Sequence, residues 1–264
     1  MIQIKKGYAD CSGGQLHYHE IPNEGPTIVF LHQTASSGKM YYDVMGRLTN
    51  VHSIALDTPG FGGSFDPADM PSMSQYGEWV VECLNSLGIE NFHLFGHHTG
   101  ACIAAEIYAK VRERVQTCMM IGPVPLTKEE RDEFRKSYST PFAPDANGEY
   151  LKTTWDYLAG LGADSNVELH HREFVDTCRA YLGRFKAYSA VWDQDFTALF
   201  QEIKCPLLLM CAPDDVLIKY LSRAKDMQPQ AQSVLLKGAN FEPDQDPDGT
   251  ANAIKDFLNL YRVI

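Results

Sequence analysis

Short apolar runs and stretches of helical periodicity alternate along most of the chain. The mainly apolar runs, each closed by turn-forming residues, are 26–31, 52–56, 92–95 and 115–121. Runs of this kind are typical of strands that are buried on both faces of a sheet. Between them, apolar residues recur at helical spacing, most clearly over 74–87, where Gly88 ends the pattern. The alternation predicts an α/β protein with a mainly parallel sheet.

The two ends of the chain add strands to this sheet. Runs 2–8 and 15–21 flank a turn cluster at 11–14, which predicts an antiparallel hairpin. Two further strands are expected at 206–211 and 233–236. With the four central runs, these segments predict a sheet of about eight strands.

The stretch 123–200 interrupts the alternation. Its periodicity stays helical, it carries a dense run of charges at 128–133, and the pattern of buried strands disappears. This composition is typical of an inserted group of helices. We therefore expect a core formed by 1–122 and 201–264, with a helical cap over 123–200 that covers the carboxyl ends of the strands.

The most informative stretch is Gly96-His97-His98-Thr99-Gly100, which joins the strand at 92–95 to an alanine-rich helical pattern. Two glycines four residues apart tolerate a strained strand-to-helix turn that pushes the central side chain out over the sheet. The pattern of a nucleophile elbow is G-x-S-x-G. Here the central residue is His98, so the predicted turn carries an imidazole in place of a hydroxyl.

In this context the chain resembles the α/β-hydrolase superfamily over nearly its whole length. It is most similar to the members with a helical cap, such as haloalkane dehalogenases, epoxide hydrolases and C–C bond hydrolases. The segment 57–64, Asp-Thr-Pro-Gly-Phe-Gly-Gly-Ser, looks like the superfamily's Asp-x-Pro-Gly-x-Gly-x-Ser signature. The resemblance implies an α/β-hydrolase fold, with a mainly parallel eight-stranded sheet flanked by helices and an inserted helical cap.

The resemblance also implies where an oxyanion would bind. In the superfamily, the loop after the strand at 26–31 supplies one backbone N–H, and the residue after the elbow centre supplies the other. The loop here contains Gln33, which replaces a glycine, and Thr34, which matches the donor position. We assign Thr99, Thr34 and Gln33 to the oxyanion site.

Asp214 and Asn240 complete the predicted catalytic set with His98. By resemblance, Asp214 stands in the place of the triad acid and Asn240 in the place of the catalytic histidine. None of the nine histidines lies after residue 171. The fold's chain order of nucleophile, acid and histidine therefore cannot be met, which excludes the Ser-His-Asp mechanism.

A neutral His98 oriented by Asp214 or Asn240 is a competent general base near neutral pH. Covalent attack by His98 is the alternative, although the site lacks a second base for turnover. Three function classes stay open. The first and favoured one is a hydrolase of atypical mechanism that acts on a small ester, lactone or ketone-type bond. The others are a lyase or isomerase with His98 as proton-abstracting base, and a non-catalytic ligand-binding protein.

The cap is rich in aromatic residues, and some of them should line an apolar pocket over His98. We assign four residues to substrate binding, namely His32, His97, Trp155 and Trp192. The expected substrate is small, largely apolar, and neutral or weakly charged. We expect no metal, because adjacent histidines at an elbow diverge and no carboxylate motif accompanies them. No cofactor is expected either.

Composition narrows the partners and the compartment. The chain has 264 residues and a formal charge of −11, which argues against nucleic acid and against anionic membrane surfaces as partners. The seven cysteines are scattered without C-x-x-C spacing and indicate reduced, buried thiols. The N-terminus shows no signal-peptide pattern. We expect a soluble cytoplasmic protein with a small-molecule substrate, and the sequence leaves open whether it forms a homodimer.

Overall fold

Strands form where the apolar runs predict them, and the structure, a computed structural model, places them in one sheet. It describes residues 3–140, 142–261 and 263. Within that part of the chain, the strands are β1 (Lys5–Cys11), β2 (Gly14–Ile21), β3 (Thr27–Leu31), β4 (His52–Leu56), β5 (Phe92–His97), β6 (Val115–Ile121), β7 (Leu207–Cys211) and β8 (Gln232–Leu235). Residue 2, the first residue of the predicted hairpin, lies outside the described residues.

The sheet is parallel except at one edge. Its strand order is β1-β2-β4-β3-β5-β6-β7-β8. The hairpin of β1 and β2 is antiparallel, and β2 also pairs antiparallel with β4. The remaining neighbours, from β4 through β8, pair in parallel. The predicted mainly parallel sheet of eight strands is confirmed.

Helices cover both faces of the sheet. They are α1 (Tyr42–Met45), α2 (Met73–Ser86), α3 (Thr99–Val111), α4 (Lys128–Tyr138), α5 (Glu149–Gly160), α6 (Val167–Arg179), α7 (Tyr181–Asp193), α8 (Phe196–Gln201), α9 (Ile218–Met227), α10 (Glu242–Gln245) and α11 (Pro247–Leu260). Short 3-10 turns occupy Gly38–Tyr41 and Ala163–Ser165.

Two apolar cores lie on opposite faces of the sheet, because successive side chains of a strand point to opposite faces. In β3, Val29 and Leu31 belong to the core that is shared with α2 and α3. Ile28 and Phe30 belong to the core that is shared with α1 and α11. A continuous apolar strand is therefore buried on both sides, as the sequence pattern indicates.

Helices α4 to α8 lie between β6 and β7, and no strand occurs there among the described residues. A capping box starts α4: Thr127 Oγ1 accepts the Glu130 N–H, and the Glu130 carboxylate accepts the Thr127 N–H. Helices α7 and α8 both contact α3. Residues of α4 and α7 line the space above His98.

In the described residues, no helix combines the length and the apolar character needed to cross a bilayer.

Candidate active site

His98 lies at the turn from β5 into α3, as predicted. Its φ of 47° and ψ of −106° are strained for a residue with a side chain, and it is the only non-glycine residue with positive φ in the described part of the chain. A Cβ on Gly96 would overlap the backbone of Gly100, and a Cβ on Gly100 would overlap the carbonyl of Leu31. Both glycines are therefore required for the close approach that holds the His98 turn in place.

The His98 ring is held by one carboxylate. Its Nε2 lies 2.7 Å from Oδ2 of Asp215, whose side chain is fully buried. Burial by itself raises the pKa of Asp215, but the charge of His98 and hydrogen bonds, including one from the Leu217 N–H, bring that pKa well below its usual range. An ionised Asp215 only accepts, so Nε2 carries the proton.

The other ring nitrogen, Nδ1, is left with its lone pair. It has no hydrogen-bond partner among the described residues, and it is not sealed from the cavity. The side chain of His98 is 14% exposed. The site therefore presents an oriented imidazole whose second nitrogen, Nδ1, faces the cavity.

Asp215 occupies the place that the sequence assigned to Asp214. The turn after β7 is closed by a bond from the Asp215 N–H to the Ala212 carbonyl, and Asp215 Oδ1 accepts the Leu217 N–H at 2.6 Å. These bonds direct Asp215 inward and leave Asp214 exposed. The assignment of Asp214 beside His98 is wrong by one residue, because two adjacent aspartates do not reveal which one a turn directs inward.

Asn240 lines the cavity beside His98 but bonds to backbone groups. Its Oδ1 accepts the Val216 N–H at 3.2 Å, and its Nδ2 donates to the Leu161 carbonyl at 3.0 Å. Among the described residues, Asn240 forms no direct hydrogen bond with His98 or with Asp214. Asn240 instead joins the loop after β8 to the loop after β7 and to the end of α5.

The oxyanion positions are adjacent. Thr99 Oγ1 donates to Thr34 Oγ1 at 2.9 Å, and both residues line a cavity with His98. Within the described residues, the backbone N–H groups of Thr34 and Thr99 have no acceptor. The Gln33 side chain, by contrast, donates to the Asn240 carbonyl at 2.7 Å. The backbone N–H groups of Thr34 and Thr99 are thus unpaired in that part of the chain, and both residues line a cavity with His98. The side-chain amide of Gln33 instead fixes the loop.

Of the four side chains assigned to substrate binding, only Trp192 lines a cavity with His98. The buried His32 ring bonds the Gln33 carbonyl through Nδ1 and accepts the Thr58 N–H through Nε2. Burial lowers the pKa of His32, which keeps the ring neutral. Both ring nitrogens are engaged, so His32 holds two loops together.

The other two side chains, His97 and Trp155, line neither of these cavities. His97 is fully buried, and its Nε2 lies 3.2 Å from Oε2 of Glu242. Its ring packs edge-on against the ring of His98, with centroids 4.4 Å apart, although the sequence predicted that the two histidines diverge. Trp155 stacks on His170 with ring centroids 3.7 Å apart, so it joins α5 to α6.

A second carboxyl, that of Glu242, lies behind Asp215. Glu242 is completely buried, and its Oε1 accepts the Ala212 N–H at 3.0 Å. Burial, together with the charge of Asp215, raises the pKa of Glu242 well above its usual range. A protonated Glu242 therefore lies next to an ionised Asp215. Its only sequence signal is a position two residues after Asn240.

Ligand atoms of His97, His98 and Asp215 lie within 4.8 Å of one another, as do those of Cys211, Asp215 and Glu242. These side chains are the ones at the site that could hold a metal ion. The hydrogen bond between His98 and Asp215 explains why these two side chains lie close together without a metal ion. The absence of a metal cofactor stays a prediction.

Two small cavities, each of about 40 Å³, meet at His98. Both are lined by Thr34, Tyr138, Tyr188 and Val216. The first is otherwise mainly apolar, with Val124, Phe134, Val191, Trp192 and Leu217. The second has polar walls that include Gln33, Glu173, Thr177, Arg184 and Asn240.

A larger cleft of about 630 Å³ lies elsewhere and does not include His98. Its lining includes Lys39, Arg172 and Asp244, of which Arg172 and Asp244 pair with each other. We place the site at the smaller cavities because the strained turn, the free imidazole nitrogen and the two free amides converge there.

Known proteins resemble this chain over most of its length. It is 27% identical over 262 residues to a putative carbamate hydrolase, RutD, of Pseudomonas savastanoi, which covers 92% of this chain and 98% of that protein. It is 23% identical over 271 residues to a fluoroacetate dehalogenase of a Burkholderia species, covering 90% and 89%. The crystal structure of the enol-lactonase from Burkholderia xenovorans LB400 superposes with a TM-score of 0.82 at 19% identity, over 96% of this chain and 100% of that one.

The family model that matches is described as alpha/beta hydrolase fold and spans residues 26–235. That range starts just before β3 and ends with β8, so it contains the elbow, the loop of Thr34 and the turn of Asp215. The chain therefore belongs to the α/β hydrolase fold family.

Proposed function

We propose that the chain is a hydrolase in which His98 is the general base that activates water against a small ester, lactone or ketone-type bond. The observation that carries the proposal is the orientation of His98. Its Nε2 bonds Asp215 at 2.7 Å, while Nδ1 has no partner among the described residues. A base needs a free lone pair and a fixed ring, and this arrangement supplies both.

In the proposed reaction, a water molecule beside His98 gives a proton to Nδ1 as its oxygen attacks the substrate carbonyl. The imidazolium that forms is stabilised by the negative charge of Asp215, whose depressed pKa keeps it ionised. His98 then returns the proton to the leaving group. The ring thus acts first as a base and then as an acid.

The negative charge on the carbonyl oxygen needs donors that are already in place. The N–H groups of Thr34 and Thr99 are the candidates, since they lie beside His98 and have no acceptor in the described part of the protein. Fixed amides in a site closed to water stabilise an oxyanion strongly. The hydroxyl bond between Thr99 and Thr34 holds the two donor loops together.

The relatives support hydrolysis as the reaction class. A carbamate hydrolase, a dehalogenase and an enol-lactonase each break a bond in a small molecule, and their named activities differ. Function in this family is set by the site more than by the fold. We favour a base role over covalent attack by His98, because an acyl-imidazole would need a second base and the described residues of the two cavities offer no other histidine.

A substrate screen with matched histidine variants tests the proposal. The panel contains p-nitrophenyl esters, lactones and β-diketones. His98→Ala should lower kcat/KM by about 10²- to 10⁴-fold, as expected for loss of a general base. Asp215→Asn should lower it by about 100-fold or more, since an amide no longer fixes the Nε2–H tautomer. His171→Ala, which removes an exposed imidazole, is the control and should leave activity unchanged.

Labelled water gives an independent readout of the reaction class. Hydrolysis places oxygen from H₂¹⁸O in the product. Turnover without ¹⁸O would indicate a lyase or isomerase, and activity that survives His98→Ala would remove His98 from the mechanism.

A further inference from the structure

Arg184 is a buried cation without a counter-charge in the wall of the His98 cavity. It lies on α7, is 2% exposed, and lines the second cavity together with His98, Thr34 and Tyr188. It forms no ion pair with a carboxylate in the part of the chain that the structure describes. Burial of a guanidinium is costly unless something compensates its charge.

The contacts of Arg184 compensate only part of that cost. Nη1 donates to the Thr140 carbonyl at 2.6 Å. The guanidinium carbon lies over three aromatic rings, 4.2 Å from the Phe142 centroid, 5.0 Å from that of Tyr188 and 5.1 Å from that of Tyr157. Nε and Nη2 have no acceptor among the described residues, and neither atom is sealed from the cavity.

The acid in the same cavity wall is engaged elsewhere. Glu173 is buried, and its Oε1 accepts from Ser36 Oγ at 2.7 Å and from Arg172 Nη2 at 2.5 Å. Arg172 in turn bonds both oxygens of Asp244. Glu173 is therefore held by Ser36 and Arg172, and among the described residues it forms no hydrogen bond or ion pair with Arg184, so the guanidinium of Arg184 stays available to a molecule that enters the cavity.

We infer that Arg184 anchors a carboxylate of the substrate, so that the substrate class is a short carboxylic acid that carries the scissile bond near His98. The inference rests on the proposed function, because it places the reacting carbonyl at His98 and the carboxylate at Arg184 in one cavity. The two nitrogens without acceptors, Nε and Nη2, form the planar fork that suits a carboxylate. A single arginine balances one negative charge, which favours a monoanion over a dianionic phosphate.

Two esters with the same acyl chain length test the anchor. The mono-p-nitrophenyl ester of succinic acid carries a terminal carboxylate, and p-nitrophenyl butyrate carries a methyl group at that end. The unaltered enzyme should prefer the succinyl ester in kcat/KM by about 10-fold or more. Arg184→Met should lower kcat/KM for the succinyl ester by about 10- to 100-fold, the range expected for charge-assisted hydrogen bonds. It should change the butyryl ester by less than about threefold.

Two further variants keep the result interpretable. Arg184→Lys retains the charge without the fork and should recover part of the preference, even if Arg184→Met folds poorly. Arg135→Met removes a guanidinium from α4 that pairs with Asp193 at the surface, and it should leave both esters unaffected. An equal loss for the two esters in Arg184→Met, or no preference in the unaltered enzyme, would overturn the inference. So would a preference for a 3-phosphonopropionyl ester over the succinyl ester.

A binding measurement separates this inference from the proposed mechanism. Calorimetric titration of His98→Ala with monomethyl succinate and with methyl butyrate reports binding of the two esters while turnover is slow. Tighter binding of the succinate, lost when Arg184→Met is added, would support the anchor even if His98 proved not to be the base. Equal binding of the two esters would refute the anchor even if His98 proved essential.

Discussion

The imidazole of His98 occupies the space that a side chain on Gly122 would need. A Cβ built on Gly122, which has a φ of +56°, would overlap Cδ2 and Nε2 of His98. Gly122→Ala should therefore push Nε2 away from Asp215. Because a displacement of about 1 Å in a catalytic group can cost 10²-fold, we expect kcat/KM to fall by about that factor in steady-state assays.

Gly88→Ala is the matched control for the backbone strain. Gly88 has a φ of +70°, and a Cβ there meets nothing within 4 Å. Both substitutions should carry the cost of a left-handed backbone with a side chain, about 1 kcal/mol in urea unfolding, and Gly122→Ala should add the cost of the displaced His98 ring. Only Gly122→Ala should lose activity. Equal activity in the two variants would show that the His98 ring tolerates displacement.

Glu242 should make stability depend on pH. Its pKa is raised in the folded protein by burial and by the charge of Asp215. The stabilising effect of such a group is complete below the unfolded pKa of about 4.3 and is lost as pH rises toward the folded value. Glu242→Gln keeps the neutral form at every pH. Its advantage in unfolding free energy should grow between pH 5 and 8, by up to about 1.4 kcal/mol per pH unit.

Glu242→Ala also removes the titrating group, but it leaves the Ala212 N–H without an acceptor and opens a void. Its unfolding free energy, measured in urea at each pH, should lie below that of Glu242→Gln by a constant amount. Stability differences from the unaltered protein that do not vary with pH would mean that Glu242 is ionised in the fold.

The residues of the site were partly predictable. His98 was found because the spacing of Gly96 and Gly100 is a local signal. Which of Asp214 and Asp215 points inward could not be predicted, because hydrogen bonds to Ala212 and Leu217 determine it and the sequence pattern shows neither bond. The cavity walls were harder still, since they combine side chains that are distant in sequence.

At the scale of elements, one carboxylate at the end of β4 joins β2 to two loops. Asp57 accepts from His17 Nδ1, from His19 Nε2, and from the N–H groups of Gly38 and Gly63, at 2.7 to 3.1 Å. Burial raises the pKa of Asp57, but these hydrogen bonds outweigh it and hold the pKa well below its usual range. Asp57 therefore fixes the loop after β3, which continues from Thr34.

Asp57→Asn should destabilise the fold by about 3 kcal/mol at pH 7, since an amide cannot accept all four bonds. A carboxylate with a depressed pKa stabilises the fold above its unfolded value of about 3.9, and the effect is lost as pH falls below that value. The gap in urea-derived unfolding free energy between the two proteins should therefore narrow below about pH 4.

Asp66→Asn is the control for this comparison. Asp66 is 66% exposed and pairs with Arg179, so its loss should cost no more than about 1 kcal/mol. A gap for Asp57→Asn that stays constant down to pH 3 would contradict the assignment of Asp57 as the ionised partner of this network.

The strands of the sheet were predictable because burial on two faces imposes an apolar pattern that no other element requires. The first and last residues of the strands were less predictable. The run at 2–8 was expected to end before a turn at 11–14, whereas β1 continues to Cys11 and β2 begins at Gly14. Gly14 supplies a φ of 148°, which allows a tighter turn than the composition of the cluster suggests.

At the scale of the whole molecule, the helices between β6 and β7 nearly close the space over His98. Two cavities of about 40 Å³ each leave room for little more than water, so a substrate must displace side chains on entry. Tyr188 of α7 lines both cavities and donates to the Thr34 carbonyl at 3.2 Å. Tyr188 is the residue of α7 that lines both cavities.

Tyr188→Ala should enlarge both cavities and shift the preferred acyl chain of p-nitrophenyl esters to greater length, at a cost of about 3 kcal/mol in stability. A series of esters from acetate to octanoate measures the shift. Tyr188→Phe removes only the hydroxyl and should keep the original optimum. Leu182→Ala, at an exposed position of the same helix, should change neither property. An unchanged optimum in Tyr188→Ala would mean that α7 does not limit the substrate.

The imidazole at the elbow should prevent stable labelling of this chain by probes that react with a catalytic serine. Fluorophosphonate probes, used to survey hydrolases in whole proteomes, report a serine that forms a durable phosphoester. A phosphorylated imidazole is labile, so His98 would shed the tag before detection. We therefore expect these probes to leave no stable label on this chain or on a relative that carries an imidazole at the same turn.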